Sequence, residues 1–234
     1  MASKQPKTLE ILNSRIAACT ACPRLIAHCR QVAREKKRAH REEAYWGLPV
    51  PSFGDPAARL LIVGLAPAAH GANRTGRMFT GDSSGDWLYE ALHRHGFARI
   101  PTSTHRQDGQ ALTDVWITAT NHCAPPDNKP SLEEQALCRP YLKQELELLD
   151  KLELVIPLGK IAFDGFLRTQ AERGFATPRP RPAFSHGVEL SPWGPDGPAL
   201  IGSFHPSRQN TNTGRLTRPM GHAIFKRARQ RLGG

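Results

Sequence analysis

Three groups of residues in this chain have types and spacings suited to chemistry. The first is a set of cysteines: Cys19 and Cys22 form a CxxC, and Cys123 and Cys138 form a wider pair far downstream. Four thiolates can hold a tetrahedral zinc or an iron–sulfur cluster, and spacing alone does not choose between them. The wide second pair fits a zinc ribbon poorly. The simpler alternative is that only the CxxC matters and the other thiols, like Cys29, are buried as small apolar groups. The second group is the stretch GLAPAAHGANRTGRMFTGDSSGDWL, from Gly64 to Leu88. Its Gly, Pro, Asn and Thr follow an apolar run and offer many backbone N–H groups to an anion or a flat polar ligand. It contains neither a dinucleotide fingerprint nor a P-loop. Within it Phe79 is an aromatic isolated among small residues, suited to stacking or to core packing, and Asp82 stands where a helix cap belongs. The third group is SFHPSRQNTNTGRLTRPM, from Ser203 to Met220, where His205 ends an apolar run on a rigid His-Pro step. A polar ring at that position suits electrostatic stabilisation.

The elements that must position these groups follow from periodicity. Four short runs, Leu60–Leu65, Val115–Thr120, Leu154–Leu158 and Ala199–Phe204, are apolar with little alternation, as in strands covered on both faces. Helical patterns occupy Asp82–His95, Ser131–Leu152, Lys160–Arg168 and Pro219–Leu232, and Ser131 with Glu134 reads as a capping box. Strand and helix therefore alternate. The expected fold is α/β, three layers of α/β/α around a central, mostly parallel four-stranded sheet, with ligands beyond the carboxyl ends of the strands. An N-terminal segment, about 8–45, reads as helical and contains the CxxC. Its Arg30, Arg34, Lys36, Lys37, Arg38 and Arg41 make either a solvated face or a DNA-facing patch. The Pro- and Gly-rich stretch 174–198 reads as a long irregular loop.

Composition narrows the partners. The chain has 234 residues, enough for one domain spanning 1–234, and a formal charge of +11, which favours polyanions and nucleic acid first. No apolar run approaches the roughly 18 residues of a membrane span. The N-terminus lacks the apolar core of a secretory signal, which points to a cytoplasmic, in a prokaryote nucleoid-associated, protein with reduced thiols. No heptad pattern suggests self-association, so a monomer is expected.

Taken together these residues resemble the uracil-DNA glycosylase superfamily, and within it family 5, the B-type enzymes that carry an iron–sulfur cluster. Gly64-Leu65-Ala66-Pro67-Ala68 resembles the first motif, Asn73 to Asp82 its extension, and His205-Pro206-Ser207 with Asn210 to Thr217 the second motif. The resemblance spans about residues 19 to 220. It implies a monofunctional DNA glycosylase that flips a deaminated base, uracil and also hypoxanthine or other modified bases, out of DNA and hydrolyses its N-glycosidic bond. By the same resemblance, Cys19, Cys22, Cys123 and Cys138 hold a [4Fe-4S] cluster away from the chemistry, zinc being the alternative, with the N-terminal helical segment contributing to that site. Phe79 stacks on the base, and Gly64, Ala66 and Ala68 belong to the pocket wall. His205 stabilises the departing base, and Asp82 orients water, with His70 as the alternative. The loop Ser207 to Thr213 enters the minor groove with Arg208 or Gln209 as the wedge, and Arg74, Ser207 and Asn210 join the DNA contacts. Relatives carry a base-reading Asn four residues before the third cysteine. Here Ala119 stands there and Asn121 lies two residues later, so Asn121 is the candidate replacement and a permissive pocket is implied. Two other classes remain: a non-catalytic lesion-binding protein, supported by Ala66 and Ala119, and an iron–sulfur redox protein, for which no flavin or nicotinamide motif speaks.

Overall fold

The computed structural model describes residues 5–176 and 178–233, so residues 1–4, Thr177 and Gly234 of the expected 1–234 domain lie outside the described residues, as does Thr177 of the expected loop. The chain opens with α1 (Gln5–Ala17) and α2 (Pro23–Glu35), followed by a short turn of helix at Arg38–His40. The expected single helical segment is thus two helices and a turn. The CxxC lies in the break, where Cys22 is the N-cap of α2 and Pro23 opens it, because Pro fixes φ and lacks the N–H that an interior position needs.

The sheet contains β1 (Phe53–Gly54), β2 (Leu60–Gly64), β3 (Val115–Ala119), β4 (Leu154–Pro157), β5 (Glu189–Leu190) and β6 (Ala199–Ile201). Their spatial order is β1-β3-β2-β4-β6-β5. The four expected strands are its parallel centre, with Leu60 opposite Val115 and Leu154, and Leu154 opposite Ala199. The sheet nevertheless has six strands, not four: β1 and β5 add antiparallel edges two residues long, too short to leave a periodic trace in the sequence. β5 and a turn at Gly194–Asp196 also give structure to part of the loop expected to be irregular throughout.

Strand parity builds the layers. Leu60, Ile62, Val115, Ile117, Ile156 and Ile201 face α4 (Ser83–Arg94) and α8 (Arg218–Arg231) through Leu88, Leu92, Ile224 and Phe225. Leu61, Val63, Trp116, Val155 and Leu200 face α5 (Leu132–Leu148) and α6 (Lys160–Glu172) through Leu142, Leu146, Phe163 and Phe166. Every residue of the four central strands is buried, which explains their unalternating sequences. Short helices α3 (Ala72–Thr75) and α7 (Arg208–Asn212) follow β2 and β6. Because β3 and β4 flank β2 on opposite sides, the loops leaving them diverge and open a crevice at the carboxyl end of β2.

Candidate active site and cysteine cavity

A cavity of about 590 Å³ occupies that crevice. Its walls come from Leu65–Ala68 after β2, Ala72, Met78 and Phe79 from the following loop, Ala119 at the end of β3, and His205 with Ser207–Gln209 after β6. Asp82, Ser83 and Ser84 complete it at the start of α4.

Asp82 serves two purposes at once. Its Oδ1 accepts from the backbone N–H groups of Ser84 at 2.9 Å and Gly85 at 3.0 Å, capping α4. Among the described residues no hydrogen bond occupies Oδ2, and a Cβ on Gly71 would lie 2.0 Å from it, so only glycine admits the carboxylate there. Burial raises the Asp82 pKa above the usual carboxylate value, and the two backbone donors of the helix start oppose that shift.

Phe79 sits in the left-handed region at φ 52°, where an aromatic pays a steric penalty. Two close approaches hold it. A Cβ on Gly85 would fall 2.0 Å from the Phe79 carbonyl, and one on Gly64 would fall 2.9 Å from its ring, so Gly64 acts by yielding room to the aromatic rather than by lining the cavity. Beneath, Arg77 pairs with Asp108 at 2.6 Å and donates to Ser103 at 2.7 Å, pinning the loop from the buried side. The Phe79 ring lies 5.8 Å from that of His205, tilted by 32°. Burial pushes the His205 pKa down to about 4, so its imidazole is neutral at pH 7. Its backbone carbonyl accepts from Asn210 Nδ2 at 2.8 Å, and Ser207 caps α7 by accepting from the Asn210 N–H at 3.3 Å. Arg208 reaches back across the mouth to donate to Ser83 Oγ at 3.1 Å, and Gln209 is exposed at the rim.

Of the expected site residues, the structure therefore gathers Ala66, Ala68, Phe79, Asp82, His205, Ser207, Arg208 and Gln209 around one cavity. Five others are placed elsewhere, Gly64 behind the Phe79 ring being the first. Asn121 is fully buried, donates to the Glu134 carbonyl at 3.1 Å and lines the cysteine cavity, because the chain leaves β3 at Ala119 and strand alternation no longer applies. His70 turns away from the cavity to Tyr45, with its Nδ1 3.1 Å from the phenol oxygen. Arg74 is buried rather than DNA-facing: it pairs with Glu43 and donates to the carbonyls of His70 and Gly81. Asn210 is spent on the His205 backbone. Conversely, Asp127 and Asn128 line the cavity without having been expected to. Both have positive φ, 53° and 56°, and the only trace in the sequence is the turn-forming Asp-Asn between prolines and lysine in PPDNKP.

The cysteines converge on a second, tighter cavity. Cys19, Cys22, Cys123 and Cys138 all line it, together with Leu25, Ile26, Pro49, Asn121 and Tyr141. They come from the α1–α2 link, the loop after β3, and α5. Burial raises the pKa of Cys22 and pushes that of Cys138 up to about 12; Cys123 is pushed up by its hydrogen bond with Cys29 and by burial. These thiols are therefore protonated at neutral pH, and a bound cation would have to displace the protons. The donor set and its apolar surroundings suit a Cys₄-ligated group. Among the described residues no three His, Cys, Asp or Glu side chains are gathered round a single ion position. Cys29 lies outside the cavity wall, fully buried behind Cys123, with its thiol 3.7 Å from the Ala124 carbonyl.

Comparison with known proteins bears on both cavities. The profile of the Uracil DNA glycosylase superfamily matches residues 51–232. A "Type-5 uracil-DNA glycosylase" of Mycobacterium bovis is 48% identical over 225 residues, covering 95% of this chain and 81% of its own. Its namesakes in Thermus thermophilus and Pyrobaculum aerophilum are 45% and 41% identical, covering 93% and 92% of this chain and 95% and 89% of theirs. A profile that starts at β1 and ends in α8 takes in the whole sheet and every residue of the larger cavity, and the relatives extend the match through the CxxC: the chain belongs to the uracil DNA glycosylase superfamily.

Proposed function

We propose that this protein excises uracil from DNA by hydrolysing the N-glycosidic bond, leaving free base and an abasic site. The observation that carries the reading is the convergence of Phe79, the free Oδ2 of Asp82 and a neutral His205 on one cavity. A flipped base stacks on Phe79. As the C1′–N bond breaks, negative charge gathers on the base and positive charge on the sugar. The neutral imidazole of His205 donates its one N–H as a hydrogen bond to the base oxygen, where negative charge gathers. The ionised Asp82 faces the sugar, stabilises its positive charge and orients the water whose oxygen attacks C1′; the proton released ends on the departing base or in solvent. Family membership supports DNA as substrate.

The pocket offers Ala66 and Ala119 where a strict uracil reader places polar groups, which supports acceptance of hypoxanthine and other deaminated bases as well. Cys19, Cys22, Cys123 and Cys138 would hold a [4Fe-4S] cluster, with zinc as the alternative, and such a group would supply a cross-link between the α1–α2 link, the loop after β3 and α5. We take the chain to be one domain, monomeric and cytoplasmic. No described helix is long and apolar enough to cross a membrane.

Strand scission after alkali tests the reading, using end-labelled oligonucleotides with one uracil, one hypoxanthine or no lesion. Lesion-dependent scission that collapses in His205→Ala is expected. Retained lesion binding with no scission by metal-replete protein would instead identify a non-catalytic lesion reader.

A further inference from the structure

The basic run over the last turns of α2 and the turn after it lines neither cavity. Residues 30–43 hold Arg30, Arg34, Lys36, Lys37, Arg38 and Arg41 against Glu35, Glu42 and Glu43. Two of the carboxylates are already engaged: Glu35 accepts from Gln31 at 2.8 Å, and Glu43 is shared between His40 and the buried Arg74. Arg74 therefore neutralises the acid that would otherwise offset the turn. Among the described residues no ion pair reaches Lys37, Arg38 or Arg41, and all three are exposed.

The turn is also fixed relative to the larger cavity. Lys36 closes α2 at φ 52°, and its Nζ donates to the Arg41 carbonyl at 3.0 Å. The Lys37 N–H donates to Tyr45 Oη at 3.3 Å, and that oxygen lies 3.1 Å from His70 Nδ1. Just beyond, the N–H groups of Trp46 and Gly47 donate to the carbonyls of Arg74 and Asn73 at 2.8 and 3.0 Å. Through Tyr45, Trp46 and Gly47 the turn is thus tied to residues 70–74, the stretch that carries Ala72 of the cavity wall and follows Ala68. Burial, with Lys37 and His40 close by, lowers the His70 pKa. Arg208, after β6, lines the same cavity from another element.

We propose that the Lys36–Arg41 turn grips the phosphates of the damaged strand on the Ala68–Ala72 side of the pocket, while Arg208 meets the strand from the element after β6. The proposal rests on the glycosylase reading for its substrate and assigns a role to the basic run. These hydrogen bonds fix the main chain of the turn, so the exposed Lys37, Arg38 and Arg41 side chains project from an anchored segment and only their own rotamers have to be ordered on a phosphate. Because the turn touches backbone and not base, it sets affinity and leaves the chemical step alone.

The test compares two charge-matched triple variants of the full chain. One is Lys37→Ala/Arg38→Ala/Arg41→Ala. The other removes three exposed, unpaired cations from other elements, Lys151→Ala/Arg168→Ala/Lys226→Ala. Binding is followed as a function of salt on a short undamaged duplex and on one carrying a tetrahydrofuran abasic analogue. Each lost phosphate contact flattens the log–log salt slope by about 0.9, so the turn variant should lose about 2 to 3 units of slope and the control variant none. Single-turnover excision at saturating enzyme should stay within about twofold of wild type. An unchanged slope in the turn variant, or equal losses in both variants, overturns the proposal. The binding arm needs no turnover: wild-type protein that fails to excise uracil while the turn variant alone loses slope would sink the glycosylase reading and uphold the grip.

Discussion

The larger cavity and the cysteine cavity share one stretch of chain, residues 119–128, yet they are built on opposite principles. In the larger cavity each key group is held by one side and left free on the other: Asp82 caps α4 through Oδ1 and presents Oδ2, and His205 is fixed through its backbone by Asn210 with its ring against Phe79. Its electrostatics are complete before a ligand arrives. In the cysteine cavity four thiols are gathered in apolar surroundings, and burial raises the pKa of Cys22 and Cys138. On the reading proposed above, the first site contributes to rate and the second to fold, a contrast open to direct experiment.

The largest effect is expected at the cysteines. On the proposal that the four cysteines hold a [4Fe-4S] cluster, Cys138→Ser should abolish bound iron and visible absorbance and cost on the order of several kcal/mol in unfolding, as loss of a structural metal group does. Excision per folded molecule should stay within about threefold of wild type. Metal analysis and denaturant titration check this, and a Cys138→Ser protein that unfolds like wild type would dissolve the contrast. His205→Ala should do the reverse, slowing single-turnover excision about 10²- to 10³-fold, or about 2.7–4 kcal/mol, with the unfolding midpoint nearly unchanged.

The pH dependence sharpens the pocket side. Asp82 has a raised folded pKa, so protonation is favoured in the folded chain: excision should fall as pH drops through that raised value, while the Asp82 contribution to stability grows over the same window. His205, neutral down to about pH 4, should add no limb near 6.5. Stopped single-turnover rates from pH 4.5 to 8 test both statements, with Asp82→Asn expected to lose the acid limb; a limb that survives in that variant would remove Asp82 from the role.

The smallest effect concerns Asn121, expected at the base and found in the wall of the cysteine cavity. Asn121→Ala should leave uracil excision unchanged within about twofold and cost about 1 kcal/mol through its lost bond to Glu134. A large loss of excision would return Asn121 to the base.

How far these sites could be read from the sequence depended on locality. Asp82 and His205 sit at strand and helix ends, where a capping signal and a His-Pro step are visible within a few residues. Phe79 stood out because it is aromatic among small residues. Arg74, His70 and Asn121 were misplaced because their partners, Glu43, Tyr45 and Glu134, lie 13 to 31 residues away, and nothing local to them announces that the side chain turns inward. Asp127 and Asn128 escaped notice because they reach the cavity only after the chain has passed the cysteine wall at Cys123 and turned back through positive φ. The four central strands were legible because burial on both faces leaves an unbroken apolar run; the two-residue edges left none.

Those edges carry a consequence of their own. Four apolar strands with neither face polar would make a potent template for further strands if their flanks were bare. Here β1 and β5 each run against the neighbouring strand for only two residues, and β1 ends on Gly54, whose absent side chain lets it lie against the Val115 backbone. An approaching strand would find almost no ladder to extend, so the same brevity that hid these strands protects the protein from sheet-to-sheet aggregation at high concentration.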